Sequence, residues 1–193
     1  MQFEGIYTPL IAPFKSDFTL NSDAMSSAID FLVNAAGVSS NTRVSELESC
    51  EWDQIMSTNL RSMFLCCREA IVRMKKKGVG KIVCVSSIAG RHRSVAAGVH
   101  YVSSKAGIIG LAKQLAFEQS GTGINVNVVC PSQTLTPLLE RAMSSEELKS
   151  LSKNIPVRRI AKIEEQVGPI LFLLSNAASY INGAVIDVNG GQI

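Results

Sequence analysis

Four short apolar runs, separated by long segments of helical periodicity, constrain this chain most. They are Phe31 to Ala35, Ile82 to Val85, Ile124 to Val129 and Ala184 to Val188. Ile82 to Val85 is continuously apolar, and the others are mostly apolar with Asn34, Asn125, Asn127 and Asp187 as interruptions, close to the pattern of strands buried on both faces. Between the first two, apolar residues recur at Ile55, Met63, Cys67, Ala70, Ile71 and Met74, which predicts a long amphipathic helix over about Trp52–Met74. Lys75 to Lys77 followed by Gly78 reads as its basic last turn and stop. Further helices are predicted at Ser103–Gln119, Glu146–Leu151 and Glu164–Ser175. Strands alternating with helices imply a doubly wound α/β fold, a parallel sheet covered on both faces. Closer to the N-terminus, Ile6 to Ile11 can form a short strand stopped by Pro13, and Asn21 or Ser22 can cap a helix.

The chemistry-bearing feature is Tyr101 followed four residues later by Lys105. On a helix these positions share a face, so phenol and ammonium enter the same space. A free phenol has a pKa near about 10, and an adjacent ammonium is expected to favour the phenolate and lower that value. Ser86 and Ser87 close the strand-like run upstream, and a serine hydroxyl there can hold a carbonyl oxygen. Such a set can move a proton on or off a carbonyl or alcohol oxygen. An ordinary amphipathic helix would also carry a tyrosine and a lysine at this spacing.

The surrounding motifs resemble those of the short-chain dehydrogenases/reductases, from about Asp30 to the C-terminus. Asn34-Ala35-Ala36-Gly37 is similar to the family's N-A/N-A-G motif beside the cofactor. Asn59, in S-T-N-L, matches a helix asparagine that orders a relay water. Ser87, Tyr101 and Lys105 match the catalytic set. Pro131 to Thr136 resembles the P-G-x-x-x-T loop that contacts the nicotinamide, with Ser132 in place of its glycine. The ending Tyr180 to Gly191 resembles the family's last strand and tail. The resemblance implies NAD(P) as cofactor, held by Asn34, Ala35, Gly37, Tyr101, Lys105, Pro131 and Thr136. It implies a small-molecule or acyl-carrier-bound carbonyl substrate, most like that of the 3-oxoacyl reductases, and a homodimer or homotetramer.

The opening departs from that family. No T-G-x-x-x-G-x-G turn precedes Asn34, where Gly5 is the only glycine. A complete member needs about 240–260 residues, so the expected architecture is a truncated Rossmann-like sheet lacking the usual first three strands. Residues 1–33 instead resemble the first strand and helix of the dihydrodipicolinate synthase/N-acetylneuraminate lyase family, whose Schiff-base lysine and barrel have no counterpart here. The domain reading is therefore an aldolase-like segment, 1–33, packed on a dehydrogenase-like part, 30–193. The alternative to an active oxidoreductase is a chimeric remnant or non-catalytic subunit with weakened or lost dinucleotide binding. An aldolase activity is the least supported reading. At the junction, residues 29–33 can close a helix or open a strand, and the strand is favoured because Leu32 and Val33 have a sheet to join.

Composition narrows the partners. With 193 residues, 46% of them hydrophobic, the chain can bury one core. A net charge of +3 without a basic stripe argues against nucleic acid. Five cysteines without C-x-x-C spacing, and His92 and His100 without ligand spacing, predict no metal site and no disulfide framework. No apolar run is long enough for a membrane span, and a reduced cytoplasmic location is expected.

Overall fold

The computed structural model describes residues 29–136, 139–140 and 143–193. The readings for Ile6–Ile11, the helix from about Ser22, and most of the aldolase-like segment lie outside the described residues. Four parallel strands form one sheet in the order β1 (Phe31–Asn34), β2 (Gly80–Val85), β3 (Ile124–Pro131) and β4 (Val185–Val188). The register places Leu32 beside Ile82, Ile82 beside Val126, and Val128 beside Val185. Each predicted apolar run became a strand, and residues 31–34 took the strand outcome at the junction.

The helices are α1 (Ser49–Met56), α2 (Ser62–Lys77), α3 (Ile88–Arg91), α4 (Val99–Glu118), α5 (Ser145–Lys153) and α6 (Ile163–Leu174). Between α1 and α2 the chain stays helical but widens into a π turn, Ser57–Arg61. The long helix read from periodicity is thus real but interrupted. Gly78 ends α2 in the left-handed region, its N–H bonded to Met74 O at 3.0 Å. A capping box starts α5: Ser144 Oγ accepts from Glu147 N at 3.2 Å, and Ser144 N donates to Glu147 Oε2 at 2.7 Å.

Strand alternation sends side chains to two cores. On one face Leu32, Ile82, Cys84, Val126, Val128 and Cys130 meet Met63, Cys67, Ala70 and Met74 of α2 and Ile108, Ala112 and Ala116 of α4. On the other, Val83 and Val129 meet Leu173 and Leu174 of α6 and Ala178 beyond it. Lys81 also points to this second face, nearly buried, and donates to Ser175 O at 2.9 Å. A cation there satisfies a carbonyl at the C-terminus of α6, although loss of water pulls the Lys81 pKa down. Sequence reading gave this lysine no role, because a lysine opening a strand ordinarily faces solvent.

Ile82 has no solvent exposure and lies in an interior strand under two helices. Ile82→Ala is expected to lower unfolding free energy by about 2–5 kcal/mol. The exposed Val72→Ala should stay within about 0.5 kcal/mol, both read by urea unfolding.

Candidate active site

Because all four strands are parallel, their carboxyl ends open on one edge, where ligands of open α/β sheets bind. The segments after β1, β2 and β3 carry the predicted site residues to that edge. Tyr101 and Lys105 lie on α4, with the Lys105 Nζ 5.7 Å from the centre of the Tyr101 ring. Lys105 Nζ donates to Val85 O at 3.2 Å, which anchors the ammonium to the end of β2. Ser87 follows directly, and its hydroxyl is near enough to the Tyr101 phenol to favour the phenolate.

Ser87 is also the N-cap of α3: its Oγ accepts from Ala89 N at 3.1 Å. That bond occupies a lone pair and leaves the O–H free to donate to a carbonyl oxygen. Gly90 allows α3 to sit this close to α4. A Cβ there would come within 2.6 Å of the Lys105 carbonyl carbon and oxygen, so any larger residue would push Ser87 away from Tyr101.

Asn59 sits in the π turn with no solvent exposure. Its Oδ1 accepts from Val38 N at 2.8 Å, and its Nδ2 donates to Val38 O at 2.9 Å and to Ser104 Oγ at 3.0 Å. Ser104 Oγ in turn donates to Tyr101 O at 2.7 Å. Asn59 therefore ties the segment after β1 to the helix bearing Tyr101, and both of its amide hydrogens are committed. π turns recur at functional sites because the extra residue lifts one side chain out of the helical phase. Apolar periodicity carries no trace of that widening, and Ser104 escaped notice as an ordinary helix serine.

The remaining predicted contacts line the same edge. Asn34 is buried, and its Nδ2 donates to Met63 O at 3.4 Å, bracing β1 against α2. Ala35 and Gly37 are exposed; a Cβ on Gly37 would lie 3.3 Å from Lys105 Nζ, so this backbone runs beside the ammonium. Pro131 ends β3 beside Val188. The Thr136 Oγ1 accepts from Leu139 N at 3.2 Å. Ser132 makes its turn without a left-handed backbone, its N–H bonded to Val188 O at 3.1 Å.

One expectation needs correcting. The ammonium was to lower the phenol's pKa, but burial pushes the Tyr101 phenol above its ordinary value, and the Ser87 hydroxyl pulls it only part of the way back. Lys105 loses hydration too, and burial brings its ammonium down to about 8. Withdrawal from water is the leading cause of both shifts. At neutral pH Lys105 nevertheless remains mostly charged.

Arg91, at the end of α3, grips Asp187 of β4: Nε lies 3.1 Å from Oδ1, and a second guanidinium nitrogen 3.1 Å from Oδ2. This fork joins α3 to β4 at the site edge and commits the Arg91 guanidinium to a carboxylate. Among the described residues, no group of three His, Cys, Asp or Glu side chains is arranged to hold a metal ion.

Residues 20–192 match the family model described as enoyl-(acyl carrier protein) reductase. The 3-oxoacyl-[acyl-carrier-protein] reductase FabG of Buchnera aphidicola is 38% identical over 165 residues, 86% of this chain and 67% of that protein. The chain belongs to the short-chain dehydrogenase/reductase family. Among solved structures, a 3-oxoacyl-[acyl-carrier protein] reductase from Brucella melitensis superposes with a TM-score of 0.81 at 31% identity, over 85% of this chain and 63% of that one. A putative 2-deoxy-D-gluconate 3-dehydrogenase from Agrobacterium tumefaciens with bound NADP gives 0.82 at 32% identity, over 90% and 71%. The chain spans about two thirds of the length of the curated relatives it matches. The aldolase resemblance of the opening has no counterpart among these matches, and the family model begins inside that segment, at residue 20.

The lowered Lys105 pKa has a testable consequence. Below about pH 8 both folded and unfolded chains carry the charge, so the burial penalty is complete. Between about 8 and the ordinary 10.5 the folded chain releases the proton first, and stability rises with pH. Lys105→Met removes the titration. Going from pH 7 to pH 10.5, the parent should gain about 3 kcal/mol relative to the variant. Parallel stability curves in urea would contradict the burial argument.

Proposed function

We propose that this protein is an NAD(P)-dependent oxidoreductase that interconverts a carbonyl and an alcohol, with a 3-oxoacyl group on a carrier as the substrate class. The observation that carries the proposal is the meeting of Ser87, Tyr101 and Lys105 at the carboxyl edge of the sheet. Similarity to 3-oxoacyl reductases supports the substrate class, and the NADP named for a structural neighbour supports the cofactor.

The residues present fit a dinucleotide's nicotinamide end. Lys105 is a nearly buried ammonium with three hydrogens and the Val85 carbonyl as an acceptor, so it can also serve ribose hydroxyls. The exposed backbone of Ala35 and Gly37 runs beside it, and Pro131 and Thr136, on the loop leaving β3, would hold the nicotinamide amide as the family's motif implies. When bound, the cofactor supplies the hydride that forms the new C–H bond at the carbonyl carbon. Ser87 Oγ donates to the carbonyl oxygen and orients it. The Tyr101 phenol transfers its proton to that oxygen, and the phenolate left behind is stabilised by the Lys105 ammonium. Asn59 keeps the helix in place through Ser104 and takes the relay role its position in the family implies.

A specific observation favours a second reading, a catalytically impaired chimera or non-catalytic subunit. The residues before Asn34 contain no glycine-rich turn to hold a pyrophosphate. Fluorescence titration with NADPH and NADH separates the two. Saturation in the micromolar range, with reduction of a 3-oxoacyl thioester, supports the enzyme. Absence of saturation supports the second reading. In the active case Tyr101→Phe should abolish turnover with stability changed by less than about 1 kcal/mol, since only one oxygen is removed.

Self-association belongs to the same proposal. A groove lined by Met56, Leu60, Phe64, Gly107 and Leu111 runs between the π turn, α2 and α4, and Phe64 is 43% exposed. Apolar helix faces of this kind fit a homodimer or homotetramer. Sedimentation at tens of micromolar should give a dimer or larger, and Leu60→Glu should shift it toward monomer.

A further inference from the structure

Tyr101 lies in the first turn of α4, where backbone N–H groups have no intrahelical acceptors and helices fray. The N-cap is Gly98, which has no side chain to cap that turn. A polar node beside it, unused by the carbonyl chemistry, supplies the missing restraint. His100 directly precedes Tyr101 and has no solvent exposure. Its Nε2 lies 3.2 Å from Glu51 Oε1. A carboxylate only accepts, so Nε2 carries the proton, and Nδ1 is buried with no hydrogen-bond partner among the described residues.

The same Glu51 oxygen accepts from Ser40 Oγ at 2.5 Å and from Thr42 Oγ1 at 2.8 Å. These hydroxyls, more than the imidazole, hold the Glu51 carboxyl below its ordinary range. Gly98 N donates to Ser40 O at 2.8 Å. The packing is close: a Cβ on Gly98 would sit 2.5 Å from His100 Cε1 and 2.6 Å from Thr42 O. An apolar side chain in place of His100 would fill this space and orphan no polar atom, so packing alone is a poor account of a histidine here.

We infer that Glu51 and His100 are positioning residues that, with Ser40 and Thr42, tie α1 and residues 38–42 to the first turn of α4 and so set where the Tyr101 hydroxyl points relative to Ser87 and Lys105. The inference rests on the proposed role of Tyr101 in proton transfer. Neither residue touches the reacting atoms. Asn59 secures the same helix one turn further on, through Ser104, so the two ties together hold Tyr101 from both sides in sequence.

The test reads the phenol itself, in unliganded protein labelled with ¹³Cζ-tyrosine. The chain has three tyrosines, and the fully exposed Tyr180 serves as the internal reference; single Tyr→Phe variants assign the signals. In the parent, Tyr101 should titrate above the ordinary phenol value of about 10. In His100→Ala and Glu51→Ala its resonance should move toward that of Tyr180, and its midpoint should fall toward about 10. His100→Gln, which keeps an N–H near the Nε2 position, should restore the parent values.

A folded His100→Ala protein with an unmoved Tyr101 signal would overturn the inference. So would a His100→Gln signal displaced as far as that of His100→Ala, because only the bulk of the imidazole would then matter. Should His100→Ala fail to fold, Glu51→Ala carries the test on the same criteria, its side chain being partly exposed. The readout needs no turnover, so it succeeds or fails independently of the NADPH titration. In protein that does turn over, both alanine variants should lower kcat by up to about 10²-fold with KM within about twofold.

Discussion

A parallel sheet has to be covered on both faces, since neither side of its strands offers the alternating polar row that could face water. Strand β2 is buried along nearly its whole length, and everything else is arranged around that requirement. Helices α2 and α4 seal one face with Met63, Met74, Ile108 and Ala112, while α6 seals the other with Leu173 and Leu174. Once α4 is pressed on the sheet, its third residue, Tyr101, and its seventh, Lys105, are carried to the open edge above β2. The geometry of the candidate site is in this sense a by-product of covering the sheet, sharpened by a few polar ties.

Those ties work in a drying environment, and that gives the site its electrostatics. Tyr101 and Lys105 both lose water on folding, and both pKa values move toward the neutral forms. The ammonium lies over the phenol ring, 5.7 Å from its centre. A developing phenolate beside an ammonium would be worth more in that setting than in water.

Much of the fold was legible because its cause is local. Short, mostly apolar runs at 31–35, 82–85, 124–129 and 184–188 admit few partners other than a buried sheet. The period of Ile55, Met63, Cys67, Ala70 and Met74 admits only a helix. Tyr101, Lys105 and Ser87 were legible by their spacing and their place beside these elements. Lys81, the π turn at Asn59, the Arg91–Asp187 fork and the Glu51–His100 node were not. Each joins residues far apart in sequence or departs from regular periodicity, so no window of neighbours contains the signal.

By itself the sequence determined which segments are strands and which are helices, and that phenol and ammonium share a helix face, because covalent periodicity and side-chain hydrophobicity settle those points over a few turns. Only the tertiary structure decided the direction of the pKa shifts. The spacing of Tyr101 and Lys105 sets their separation, but the water removed from around them is set by α3, the end of β2 and the segment after β1 closing over them. Desolvation depends on everything that surrounds a group in space, and that is not written in its neighbours along the chain.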